Sequence, residues 1–183
     1  MWRRALPCLS VLAMFVPVAW SQSLPNTPVA QLDVARYLGQ WHEIAHLPMF
    51  FQRQCVDTIT ATYRADANGG IAVHNACRTH DGSMDSADGQ ARRVNDSPGA
   101  LQVRFAPAWL SWLPWVWADY WVIDLDPDYR WAMIAGNDRS YLWILARDKQ
   151  LSQAVLDPLL QQAKALGFAT EQLIYVPQTR SDN

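Results

Sequence analysis

His42 and His46 flank Glu43 closely enough to raise the question of a metal or acid–base site, and His74 and His80 follow downstream. On a strand beginning at Trp41, the two nearer histidines share the face opposite that tryptophan and are expected to point outward. With His74 and His80 elsewhere, the four form no recognisable metal-ligand set. Nucleophilic and phosphate chemistry find no better footing. The chain has no Gly-x-Ser-x-Gly elbow, no phosphate-cradling glycine loop and no Cys-x-x-Cys; His42-Glu43-Ile44-Ala45-His46 has the His-Glu-x-x-His spacing, but on an expected strand rather than on the helix that brings the two histidines to one metal. No catalytic residue and no cofactor are assigned. An enzyme working inside the fold would have only Tyr63, Tyr141, Glu43 and Asp124 as acids or nucleophiles.

The cysteines read differently. Cys8 lies in an N-terminal targeting segment, where Arg3 and Arg4 precede an apolar run from Ala5 to Trp20. That run is short for a membrane span and is interrupted by Pro7, Ser10 and Pro17, so a secretory signal cleaved after Ser21 is expected. Removing residues 1–21 leaves Cys55 and Cys77, an even pair in an exported chain, which argues for one disulfide. Both fall on the same side of an expected hairpin, and the bridge would close a loop worth about 3 kcal/mol of chain entropy.

The elements that must position these residues are short and alternating. A Pro- and Ser-bearing leader at 22–31 is expected to be flexible, and one helical turn before Gly39 to open the domain proper at residue 32. Strands are expected over Trp41–Leu47, Cys55–Tyr63, Ile71–Thr79, Gly89–Val94, Leu101–Phe105, Tyr120–Leu125, Trp131–Ala135 and Tyr141–Ala146. Turn signals such as Asp66-Ala67-Asn68-Gly69-Gly70 and Asp126-Pro127-Asp128 separate them. Eight short strands mean a closed antiparallel barrel or a sandwich. One helix is expected between Ser152 and Leu166, either starting at Asp157 as cap or bending at Pro158. The domain ends at residue 178, with a tail at 179–183. A net charge of −2 gives no electrostatic case for nucleic acid or acidic membranes.

Three stretches carry a family resemblance: Gly39-Gln40-Trp41; Leu125-Asp126-Pro127-Asp128-Tyr129; and Arg147 after Tyr141-Leu142-Trp143-Ile144-Leu145. Together with Tyr120-Trp121-Val122-Ile123, they resemble the bacterial lipocalins of the Blc type over about residues 32–178. The resemblance implies an all-β fold, an eight-stranded up-and-down barrel with the C-terminal helix packed outside. It further implies that Gly39, Trp41, Asp126 and Arg147 close one end, with the arginine stacked on the tryptophan. Many relatives carry a lipidated cysteine directly after the signal; here no cysteine stands near Ser21.

A barrel of eight strands encloses side chains or one small ligand. Alternation, with the parity of Tyr120 to Ile134 taken from the resemblance, points Ile59, Ala61, Tyr63, Val73, Asn75, Ala91, Val103, Phe105, Tyr120, Val122, Ala132, Ile134, Tyr141 and Trp143 inward. Such a wall suits an acyl chain, and a fatty acid or lysophospholipid is the expected partner. Glu43 and Asp124 fall inward near the base and Arg93 inward on its strand, with pairing to Arg147 or backbone at the closed end as their expected role. Trp109, Trp112, Trp115 and Trp117 crowd one loop, which the resemblance places at the open mouth. Peripheral membrane contact is the favoured role, with a lid over the barrel or a dimer contact as alternatives. The expected function is lipid storage or transport in the periplasm, the protein touching the outer membrane as monomer or homodimer. A lipid-modifying or isomerase enzyme and a structural envelope protein docking through the tryptophans are the competing readings.

Overall fold

The computed structural model describes residues 24–178 except Asn68, Asn95 and Asp96. The expected signal at 1–21 and the tail at 179–183 lie outside the described residues. A single turn, α1 (Val34–Tyr37), leads into β1 (Gly39–His46), followed by β2 (Cys55–Ala65), β3 (Ile71–Thr79), β4 (Met84–Arg93) and β5 (Ala100–Arg104). Then come β6 (Ala118–Leu125), β7 (Trp131–Ala135), β8 (Leu142–Ala146), α2 (Gln153–Ala165) and a two-residue β9 (Ile174–Tyr175). Strands β2 to β8 pair with their sequence neighbours, and β1 pairs with both β2 and β8, so the eight close into an antiparallel barrel. The lower half of β1 sets Trp41 opposite Ala61 of β2, and the upper half sets His46 opposite Trp143 of β8. There β1 also takes β9 as a neighbour.

Two apolar cores result, one on each side of β6 to β8. Inside the barrel, Trp41, Tyr63, Val73, Leu101, Val122, Ile134 and Leu145 pack together. Outside it, Ile44, Ile123, Met133, Leu142 and Ile144 meet Leu156, Leu159 and Ala163 of α2. Strands covered on both faces have no reason to alternate, which is why β7 reads Trp-Ala-Met-Ile-Ala.

The helix begins at Gln153, with Ser152 as its cap and Pro158 inside it. Of the two expected readings, this excludes the start at Asp157 and leaves Pro158 within a helix that spans the expected Ser152–Leu166 stretch. Pro158 forfeits its bond to the Ala154 carbonyl, and burial of Leu156, Leu159 and Ala163 against the barrel holds the helix together across that gap. At its end Gly167 takes φ 88°, and the Phe168 N–H reaches back to the Ala163 carbonyl at 3.0 Å. This is the left-handed turn that glycine permits after a helix. The leader from Leu24 lies along the barrel: the Val29 N–H donates to the Val122 carbonyl at 2.8 Å, and Asn26 Nδ2 to the Gly136 carbonyl at 2.8 Å.

Besides the paired register shifts around Asp57 of β2, whose effects on alternation cancel by Thr60, two β-bulges change which way the side chains beyond them face. One, between Glu43 and Ala45, puts both Ile44 and Ala45 in the outer core and returns His46 to the side of Glu43. The other, between Val122 and Asp124, carries Leu125 rather than Asp124 towards the inner core. Each adds one residue against its partner strand and so inverts the alternation beyond it.

Candidate functional site

The closed end is built from backbone carbonyls and one cation. The Arg147 guanidinium lies 3.8 Å from the centre of the Trp41 ring. It donates to the carbonyls of Arg36, Gln40 and Leu38 at 2.8, 2.9 and 2.9 Å, and to those of Tyr37 and Tyr129 at 3.2 and 3.3 Å. Five carbonyls satisfy a half-buried charge without a carboxylate, and burial holds its pKa below the usual arginine value. The Trp41 Nε1 donates to the Tyr37 carbonyl at 2.9 Å. Gly39 has φ 98°, and a Cβ there would sit 3.2 Å from Arg147 Nη1. Asp126 accepts from the Arg130 side chain at 3.0 and 3.2 Å and from the N–H groups of Asp128 and Arg130. The Arg130 bonds come first among the causes that hold its carboxyl below the usual range. All four expected closing residues therefore gather at one end.

Above this plug lies a cavity of about 420 Å³ that opens at the far end of the barrel. Ile59, Ala61, Tyr63, Val73, Asn75, Val103, Phe105, Tyr120, Tyr141 and Trp143 line it. Ala91, Val122, Ala132 and Ile134 also belong to the inner core, but they pack beyond the cavity surface and do not line it. On the floor three phenols touch: the Tyr120 hydroxyl is 2.7 Å from that of Tyr37 and 2.8 Å from that of Tyr63. Burial pushes all three above the ordinary phenol value. The Cys55–Cys77 disulfide, with Cα atoms 5.5 Å apart, is formed at the mouth.

Several expected roles are corrected. Glu43 does not pair with Arg147; it lines the cavity wall, where Gln52 Nε2 donates to both its oxygens at 2.9 Å. Gln52 Oε1 in turn accepts from Trp143 Nε1 at 3.3 Å, so a loop residue joins two strands. Burial, only partly offset by Gln52, pushes the Glu43 carboxyl up to about 8. His46 does not point outward: it is buried behind the bulge, with Nδ1 donating to the Leu47 carbonyl at 2.7 Å and Nε2 3.7 Å from Glu43 Oε1. Asp124 is off the cavity and accepts from the Leu125 N–H at 2.8 Å. Arg93 is exposed. Of the four loop tryptophans, Trp109, Trp112 and Trp115 are 73%, 76% and 76% exposed. Trp117 instead folds back under Arg92, 3.9 Å from its ring, and donates from Nε1 to the Ser111 carbonyl at 2.9 Å. With the other three in solvent, the loop is not a lid filling the cavity.

Phe51, Gln52 and Gln54 also line the cavity, and the sequence pattern did not single them out. They stand on the apolar loop between β1 and β2, where no strand alternation exists to orient them. No group of three or more His, Cys, Asp or Glu side chains able to hold a metal occurs among the described residues.

The comparisons with known proteins agree with this geometry. A family model described as a lipocalin-like domain matches residues 32–178. The outer membrane lipoprotein Blc of Citrobacter freundii is 38% identical, over 96% of this chain and 98% of its own. Blc of Escherichia coli strain K12 is 35% identical over 97% and 99%. Temperature-induced lipocalin-1 of Arabidopsis thaliana is 37% identical over 82% of both. Among solved structures, insecticyanin of Manduca sexta superposes with a TM-score of 0.66 at 22% identity, covering 88% of each chain. The cockroach allergen Per a 4 gives 0.66 at 17%, covering 87% of this chain and 96% of its own. A closed eight-stranded barrel, a Trp41–Arg147 plug and a match over the whole domain make this chain a member of the lipocalin family.

Proposed function

We propose that the protein is a lipid carrier of the cell envelope, holding the chain of a fatty acid or lysophospholipid tail-first in its barrel. The observation that carries this reading is the apolar cavity, shut below by Arg147 and Trp41 and open above. Its wall is aliphatic and aromatic, with small residues at Ala61, Ala76, Ala87 and Ala118 leaving room for a chain. Burying ten methylenes at about 0.8 kcal/mol each supplies roughly 8 kcal/mol, or micromolar affinity before ordering costs. The family binds small hydrophobic ligands, and relatives named outer membrane lipoproteins support a place in the envelope. Lipid extraction and mass spectrometry of protein purified from its own envelope tests the reading. A single-chain lipid recovered in proportion to protein supports it; an empty barrel, or one holding only polar solutes, overturns it.

The exposed tryptophans at the mouth belong to the same reading. Three indoles in solvent on one short loop form an apolar patch beside the cavity entrance, and indole partitions to the membrane–water interface. The loop docks the mouth on a bilayer so that lipid passes without crossing water. In liposome flotation, Trp112→Ser/Trp115→Ser is expected to lose most of the bound fraction seen for the wild type. Equal recovery of the two proteins removes the docking role and leaves the carrier role standing.

A further inference from the structure

The floor of the cavity contains an imbalance in hydrogen bonding. Tyr37, Tyr63 and Tyr120 bring three hydroxyl protons, and among the described residues these hydroxyls make two hydrogen bonds, both through Tyr120. However the protons are arranged, one is left without an acceptor. Tyr63 and Tyr120 face the cavity, so that proton is available there when Tyr37 donates to Tyr120. On the neighbouring strand Asn75 also lines the cavity, and its buried Oδ1 has no hydrogen-bond partner. Register places Tyr63 opposite Val73 and Ala61 opposite Asn75, so the phenol and the amide are staggered by two residues on adjoining strands of one face. A donor and an acceptor, both unused, thus occupy diagonal positions on one face of a mostly apolar chamber, where an unmet polar group is costly.

The charge of the lining narrows what could meet them. Among the described residues that line the cavity there is no Lys, Arg or His, while Glu43, Asp85 and Asp119 are acids. A carboxylate or phosphate carried to the floor would have no cation to pair with and would lose its hydration. A hydroxyl is neutral, accepts from the phenol and donates to the amide oxygen.

We infer that the ligand carries a neutral hydroxyl at its buried end, received by the Tyr37–Tyr120–Tyr63 chain and Asn75. This rests on the lipid-carrier reading and narrows it to hydroxylated chains. The test is competition against a fluorescent naphthylamine probe, using fatty acids from decanoic to hexadecanoic and the ω-hydroxy form of each. Each pair shares its carboxylate, so repulsion at the mouth cancels in the ratio. For the chain length that fits best, the hydroxylated acid is expected to bind at least as tightly as its parent. In Asn75→Leu, and separately in Tyr63→Phe/Tyr120→Phe, it should become about tenfold weaker relative to the parent, the effect of a buried hydroxyl left unpaired. Thermal melting establishes that each variant is folded, and binding of the parent acid shows that its cavity is intact. If every hydroxylated acid binds tenfold or more weakly to the wild type, or the ratio is the same in both variants, the inference fails while the carrier reading survives. If neither series displaces the probe, both fail.

Discussion

At the level of single residues, the closed end is the most tightly specified part of the molecule. Gly39 meets two demands together, a left-handed φ and clearance for Arg147. Gly39→Ala is expected to cost about 1–3 kcal/mol in urea unfolding, the usual range for a residue held in a sparsely populated conformation. Glu43 makes the opposite kind of contribution. Its carboxyl is raised from 4.5 to about 8 on folding, so between those values the folded state binds the extra proton and stability falls as pH rises. His42 and His46 act against this trend, because burial lowers them below 6.5 and stability recovers as pH rises towards that value. Between pH 6.5 and about 8 the Glu43 slope therefore stands clear of them. Urea titrations across that window should show wild-type stability declining, by at most about 1.4 kcal/mol per pH unit, and Glu43→Gln nearly flat. The four closing residues were legible through the family resemblance that their motifs carry, not from periodicity or composition. Glu43 was legible as an inward residue but not as a partner of Gln52, which sits on a loop whose side-chain directions no periodicity records.

At the level of elements, the eight barrel strands were read correctly in number and order, β4 starting at Met84 rather than Gly89, and the errors in side-chain direction cluster where a strand departs from a plain pleat. His46 and Asp124 were assigned by alternation from Trp41 and Tyr120, and each lies beyond a bulge. Bulges need no special residue type, so nothing in Glu43-Ile44-Ala45 or Val122-Ile123-Asp124 announced one. The helix between Ser152 and Leu166 was legible, and only the alternative start at Asp157 fell away. Pro158 argues locally against a helix interior, and the outer core overrides it through Leu156, Leu159 and Ala163. Pro158→Ala restores an N–H able to bond the Ala154 carbonyl and should stabilise the protein by about 1–3 kcal/mol in urea unfolding. Unchanged or lower stability would mean that the helix is already bent to fit its groove and gains nothing from the added bond.

At the level of the whole molecule, the first strand is shared by the second, the eighth and the ninth. Arg147 and the Gln40 carbonyl that it grips are 107 residues apart in the chain. The order of events in folding follows from this. Hairpins from β2 to β8 can zip between neighbours as the chain collapses, but β1 must leave one side unpaired until the far end of the sheet arrives. Closing so long a loop is an entropic barrier that local pairing does not lower. In stopped-flow refolding with the disulfide intact, most secondary structure should therefore form before the Trp41 indole acquires its native environment. The closing phase is expected on the scale of roughly milliseconds to seconds typical of chains with distant contacts. Until that phase ends, the first strand presents an open edge, and a second unfinished copy of the chain is the partner best matched to it.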